Sequence, residues 1–150
     1  MSEQQPLVDF LQSRRATREN GQVDRTDVLA EWIKDLGALM DEIEVLLKDV
    51  VESGYVNVKR INVYISEPDL SPYDAPSLVL DFDGTELQIL PRFRMTVGAR
   101  GRVDFVCGAL TAILLRIENG KWAFAGQDRR SDTVPLTRES FDQVLQDLLA

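Results

Sequence analysis

Histidine is absent from the sequence and Cys107 is its single thiol, which leaves carboxylates, arginines and hydroxyls as the groups able to do chemistry. Without imidazole there is no Ser-His-Asp or Cys-His nucleophile system, no histidine-ligated zinc and no histidine switch near neutral pH. One cysteine cannot close an internal disulfide or build a cysteine-rich metal site. Two groupings remain. The first is a pair of carboxylates, Asp81 and Asp83, at the end of the apolar run Leu78-Val79-Leu80 and followed by Gly84-Thr85. The second is Arg92, Arg94 and Arg102, in a stretch from Pro91 to Val103 that contains no acid. A surface ladder of ion pairs with Asp104, Glu86 and Asp81 is the first expectation for them. Guanidinium forks also match carboxylate and phosphate, so a local site for an anion or an acidic peptide is the alternative.

The segment Leu78 to Thr85 resembles the first motif of the haloacid dehalogenase phosphohydrolases, an apolar strand followed by Asp-x-Asp-Gly-Thr. The resemblance implies that Asp81 is a nucleophile that becomes an aspartyl phosphate, that Asp83 is a general acid, and that magnesium sits between them and the phosphate. Lys121, Asp128 and Asp132 are then the conceivable phosphate-holding and metal-binding groups. Those enzymes, however, carry the motif at the end of a central parallel strand with crossover helices between strands, and here no helical pattern follows Thr85 for about fifty residues. Asp-Gly between alternating apolar residues is independently a strong hairpin signal. A two-residue turn there pairs Phe82 with Thr85, Asp81 with Glu86 and Leu80 with Leu87, which sets two like charges face to face.

The elements that must position these groups follow from the hydrophobic period. Residues 1–22 are rich in Gln, Ser, Arg and Glu, with one apolar cluster at Leu7, Val8, Phe10 and Leu11, and are expected to be a flexible arm; residues 23–150 form the domain. A helix is expected over Arg25–Glu52, capped by Asp24, stapled by Val23 and Val28, and stopped at Gly54. Leu29, Trp32, Leu36, Leu39, Ile43, Leu46 and Val50 make its apolar stripe, widened by Ile33, Met40 and Leu47; that width fits a helix laid on a sheet better than a coiled-coil seam. Its other face is acidic, from Asp27 to Glu52.

Beyond Gly54 the period drops to two. Strands are expected at Val56–Ile65, from Leu78 to Phe82, from Thr85 through Val97 with Pro91 at an edge or bulge, from Val103 to Cys107, from Leu110 to Ile117 and from Lys121 to Ala125. Ser66–Pro76 reads as a loop. Ala99-Arg100-Gly101 reads as a three-residue turn with Gly101 left-handed, pairing Val97 with Val103 and Met95 with Phe105. Gly108-Ala109 and Asn119-Gly120 supply mirror-image turns. In this register the last hairpin is apolar on both sides: Leu110, Ala112, Leu114, Ala123 and Ala125 on one, and Ile113, Leu115, Ile117, Trp122 and Phe124 on the other. Either a helix lies on each side of the sheet or a second chain covers the outside. Trp32, Trp122, Phe93, Phe105 and Phe124 are in phase with core positions, as is Cys107, and Trp122 with Phe124 form the expected partner face. Thr137 caps a final helix, Arg138–Leu149, with Leu136 and Phe141 as its staple and Phe141, Val144, Leu145 and Leu148 as its stripe.

The fold expected is therefore α+β: a long N-terminal amphipathic helix, an antiparallel meander of about six strands and a short C-terminal helix. With 150 residues and a net charge of −8, the chain is one domain's length and repels nucleic acid and anionic membranes. The first residues, MSEQQPLVDF, lack a signal-like apolar stretch, so the cytoplasm is the expected location. The expected function is a non-catalytic protein-binding module, partnered by another protein or by a homodimer, without a cofactor. In composition it is similar to bacterial secretion chaperones and toxin-neutralising immunity proteins. The alternative is the magnesium-dependent phosphohydrolase centred on Asp81 and Asp83.

Overall fold

In the computed structural model, described over residues 5–67, 72–94, 101–118, 121–126 and 133–150, the chain divides into two units, residues 1–31 and 32–150. The first unit is helical from Gln5, the start of α1 (Gln5–Leu46). The helix thus does not begin at Asp24, and neither that residue nor the Val23 and Val28 pair stands at its start. Gln, Arg, Glu, Leu and Ala are good helix formers, and Pro6 falls in the first turn, where its missing N–H breaks no bond.

The second unit opens with the rest of α1, then α2 (Lys48–Glu52). Trp32, Leu36, Leu39, Met40, Ile43 and Leu47 are all at most 1% exposed, so the middle of the stripe read from the sequence is the packed face, while Leu29, Ile33, Leu46 and Val50 are half-buried. Gly54 has φ 80, the N–H of Gly54 bonds the carbonyl of Val51, and that of Tyr55 bonds the carbonyl of Val50. These two bonds are the Schellman stop that the glycine suggests.

Seven strands follow in sequence order as one antiparallel sheet: β1 (Asn57–Ile65), β2 (Tyr73–Phe82), β3 (Thr85–Phe93), β4 (Arg102–Cys107), β5 (Leu110–Glu118), β6 (Lys121–Phe124) and β7 (Val134–Pro135). The architecture is α+β. The meander is as expected, with one strand more than the six read from sequence. Strand β7 has only two residues, one a proline tolerated because the strand is an edge, and so leaves no alternation to detect. Strand β2 begins earlier than expected: Pro76 pairs with Asn62, beyond the last β2–β3 pair at Leu78 and Ile89.

Two of the expected turns have the chemistry read from sequence, while Asn119-Gly120 lies outside the described residues. Phe82 pairs with Thr85, and Asp83 (φ 52) and Gly84 (φ 97) are both left-handed, as a type I′ turn demands. Gly108 has φ 58 between the paired Cys107 and Leu110, while Ala109 does not share its positive φ, the pattern of type II′.

Two bulges overturn the expected registers. One falls between Pro91 and Phe93, so Val103 pairs with Pro91 and Phe105 with Ile89, not with Val97 and Met95; residues 95–100 lie outside the described ones. Gly101 is not left-handed. Its requirement is steric, since a Cβ there would stand 2.3 Å from the Trp32 ring. The second bulge falls between Arg116 and Glu118 and pairs Leu114 with Phe124, Leu115 with Ala123 and Arg116 with Trp122. A slip of one residue moves every side chain to the opposite face, so Trp122 and Phe124 join Leu114 rather than Leu115.

Side chains of directly paired residues share a face. Leu78, Ile89, Phe105 and Ala112 are linked in this way, as are Pro91, Val103, Leu114 and Phe124. Leu78, Leu80, Leu87, Ile89, Val103, Phe105 and Leu114 are fully buried. Within the second unit both long helices lie on this face. Arg60, paired with Leu78, donates to Asp41 (2.7 Å) and to the carbonyl of Gly37 (3.2 Å) on α1. Phe141 of α3 (Arg138–Leu149) stands edge-on to Phe105 at 6.2 Å. Helix α3 keeps its expected bounds, its Thr137 cap on the N–H of Ser140, and buried Phe141, Leu145 and Leu148.

In the β1–β2 ribbon the buried parity changes midway although its register is unbroken: Leu78 and Leu80 are buried in one half, and Tyr73, Ala75 and Ser77 in the other. A two-stranded ribbon twists strongly enough to turn opposite faces inward at its two ends.

Candidate functional site

Neither long helix of the second unit packs on the opposite face of the sheet. Val79, Gln88, Val106 and Thr111 lie in one line across it, Leu90, Asp104 and Ile113 in the next, and Arg102, Leu115 and Ala123 in a third. Val79, Leu90, Val106, Ile113 and Leu115 are neither buried nor fully exposed. They form a half-open apolar strip that runs diagonally across the strands, with Gln88 and Asp104 between its members along each line. Where β5 borders α3 the strip meets a cleft of about 440 Å³ lined by residues including Ile113, Phe124, Val144 and Leu148.

One end of the strip is cationic. Asp104 has a side chain only 6% exposed and is held by Arg92 (Nε to Oδ2, 3.0 Å) and Arg102 (Nε to Oδ1, 2.8 Å). A desolvated carboxylate needs such partners, and two guanidinium groups on one carboxylate leave an excess positive charge. Arg94 is not part of this group. Its backbone N–H donates to Glu67 (2.9 Å), and Glu67 also accepts from the buried Tyr73 hydroxyl, which accepts in turn from the Trp32 indole (3.0 Å). Burial first, and then the bond to Glu67, pushes the Tyr73 hydroxyl well above its ordinary value. The three arginines read as one patch are thus two and one.

The other end is acidic. Asp81 and Glu86 are directly opposed, as the turn requires, and both are exposed. Asp81 is engaged by the turn itself, accepting the N–H of Gly84 at 2.7 Å, a contact that eases the opposition of like charges. Asp83 occupies the turn and is exposed. Open clefts of about 200 Å³ and 530 Å³ border Asp81, the first also lined by Asp83, but an aspartyl nucleophile needs backbone donors arranged around a phosphate as well. Here the pair sits on an antiparallel hairpin, without the parallel strand and crossover helix of the phosphohydrolase motif. Lys121 is exposed on β6, and Asp128 and Asp132 lie outside the described residues.

Trp122 and Phe124 are 7% and 4% exposed. Trp122 lies 6.0 Å from Trp32 and Phe124 lies edge-on to Phe105 at 5.4 Å, so the bulge has made core residues of the expected partner face. Cys107, expected inside, is only half-buried beside a turn. Sequence reading missed the Ile113 and Leu115 part of the strip because its exposure depends on that bulge. The alternation of large Trp122 and Phe124 with small Ala123 is the signal that pointed to it, since the large rings belong on the side that is covered.

Comparison with family models, curated proteins and solved structures finds no match to the chain. Among the described residues no helix is long and apolar enough to cross a membrane.

Proposed function

We propose that the chain is a non-catalytic protein-binding module, an acidic adaptor of the chaperone-like or immunity-like kind, working in the cytoplasm through the open face of its sheet. The observation that carries this reading is the half-open apolar strip of Val79, Leu90, Val106, Ile113 and Leu115, left on the side away from both long helices. Contiguous apolar surface rimmed by charge is what protein contacts use, and Arg92 and Arg102 suit an acidic group at its border. Anion recognition is thereby folded into the same surface instead of standing as a separate site.

Affinity capture under native conditions tests the reading, with the wild-type chain and Ile113→Lys as baits. Wild type is expected to retain a stoichiometric protein, which includes a second, differently tagged copy of the chain, and the variant to lose it. A wild-type bait that retains nothing, or a variant that retains the same protein equally well, contradicts the reading.

A further inference from the structure

We infer that the outer edge of β1 pairs with the same edge of a second copy of this chain, antiparallel about a two-fold axis at Ile61, so that two sheets become one. This contact is separate from the open face, and neither depends on the other.

Backbone direction comes first. A two-residue type I′ turn closes on a pair that exchanges both of its hydrogen bonds, here Phe82 and Thr85. Even-numbered residues of β2 therefore turn their N–H and C=O groups toward β3, and odd-numbered ones toward β1. Through the unbroken β1–β2 register, the odd-numbered residues of β1 face β2, while Val58, Arg60, Asn62 and Tyr64 turn their backbone groups outward. Strand β1 is the outermost of the sheet, and among the described residues no partner meets these outward groups.

The two edges of the sheet are not alike. Strand β7 has two residues, one of them Pro135, and is blunted against further pairing. Strand β1 runs for nine residues without a proline or a bulge, which leaves a full template for another strand.

The residues of β1 select its own copy. Antiparallel pairing sets outward-facing residues opposite outward-facing ones, so the two-fold axis of a central pairing falls at Arg60, Ile61 or Asn62. An axis at Arg60 opposes two guanidinium groups, and one at Asn62 shortens the paired length. Ile61 is the midpoint of β1, and there the whole strand pairs. Arg60 meets Asn62, Val58 meets Tyr64, Lys59 meets Val63 and Asn57 meets Ile65, each twice about the axis. The edge is thus its own complement at every pair, as an isologous contact requires. No like charges are opposed, and Val58 with Tyr64 is a favourable pairing of β-branched and aromatic side chains, covering a tyrosine that is 72% exposed in the single chain. Arg60 keeps its carboxylate partners Asp41 and Glu44 on α1. The copy carries a twist of the same hand, so the sheet continues across the axis.

A contact of one strand over about 30 Å is smaller than a standard interface. The expected dimer is reversible, with a dissociation constant on the order of tens of micromolar.

Sedimentation velocity on the full chain, from low micromolar to a few hundred micromolar, reads the result. Wild type is expected to move from one chain mass of 16.9 kDa toward twice that value as concentration rises. Asn62→Pro removes an outward N–H and no bond to β2, and is expected to raise the dissociation constant about tenfold or more. Asn62→Ala keeps that donor and is expected to associate like wild type. Thermal melts establish folding; if Asn62→Pro does not fold, Asn62→Arg, which sets a second guanidinium opposite Arg60 of the copy, replaces it with the same expected loss. A wild type that stays monomeric at the highest concentration overturns the inference, as does a dimer that Asn62→Pro or its replacement leaves unchanged. A dimer lost on Ile113→Lys but not on Asn62→Pro overturns it too and assigns the copy to the open face. A monomeric chain whose native capture of a different protein depends on Asn62 overturns the choice of occupant. Failure at Asn62 leaves the open-face reading standing, since that reading is tested at Ile113.

Discussion

Arg116 is 8% exposed, and a guanidinium so far out of water must be paired. Asp35 accepts its Nη1 at 2.8 Å, and the Trp32 ring lies 4.9 Å beneath it. Removing the carboxylate takes a close, half-buried partner from a buried charge, so Asp35→Ala is expected to lower stability by about 2 kcal/mol. Asp41→Ala deletes an ion pair of similar length to Arg60, but with an Asp41 side chain 70% exposed, and is expected to cost under about 1 kcal/mol. Urea midpoints separate the two, and equal losses contradict the assignment. Asp81 belongs to the same scale. Because its carboxylate closes a hairpin, millimolar magnesium is expected to leave the melting temperature unchanged in wild type and in Asp81→Asn, whereas a true site saturated a hundredfold gains about 2.7 kcal/mol. A magnesium-induced rise that Asp81→Asn removes would restore the phosphohydrolase reading. The left-handed Asp83 was legible because the turn is local in sequence. The need for glycine at position 101 was not, because it is imposed by Trp32, a residue distant in the chain.

At the scale of elements, alternation told strand from helix and the turns set most pairings. A bulge is one extra residue with no reliable signature, and it inverts every parity argument beyond it. The bulge between Arg116 and Glu118 turned an apparently two-sided hairpin into a buried side with Leu114, Trp122 and Phe124 and a half-open side with Ile113 and Leu115. Leu114→Asp is therefore expected to be unfolding in effect, costing several kcal/mol for a carboxylate buried without a partner, while Leu115→Asp leaves a folded chain at low concentration. Circular dichroism melts check this, and comparable damage from both contradicts the observed register. The Trp32, Tyr73 and Glu67 chain ties α1 to the β1–β2 ribbon and gives a pH signature. The folded state keeps the Tyr73 proton where the unfolded chain releases it, so this contribution is complete below the ordinary value of 10.0 and declines as pH rises above it. Tyr73→Phe is expected to make the alkaline loss of stability shallower in urea titrations above about pH 10. A loss as steep as that of wild type contradicts the placement of that hydroxyl.

For the whole molecule, the sequence posed a choice: helices on both sides of the sheet, or a covering supplied from outside. Leu78, Phe105 and Leu114 could be assigned to the core from their spacing alone. Which side α3 would take was illegible, because the stripe of Phe141, Leu145 and Leu148 fits either face equally well. Both long helices of the second unit chose the same face, and the strip of Val79, Leu90, Val106, Ile113 and Leu115 is the consequence. Its use as a protein-contact surface is the central claim, and the most direct measurement is site-specific photo-cross-linking in the living cell. A photoreactive side chain is placed at Ile113 and, as a control, at Val45, which is 64% exposed on α1. The account predicts a discrete covalent adduct from position 113 and none from position 45. No adduct from position 113, or the same adducts from both positions, would contradict it.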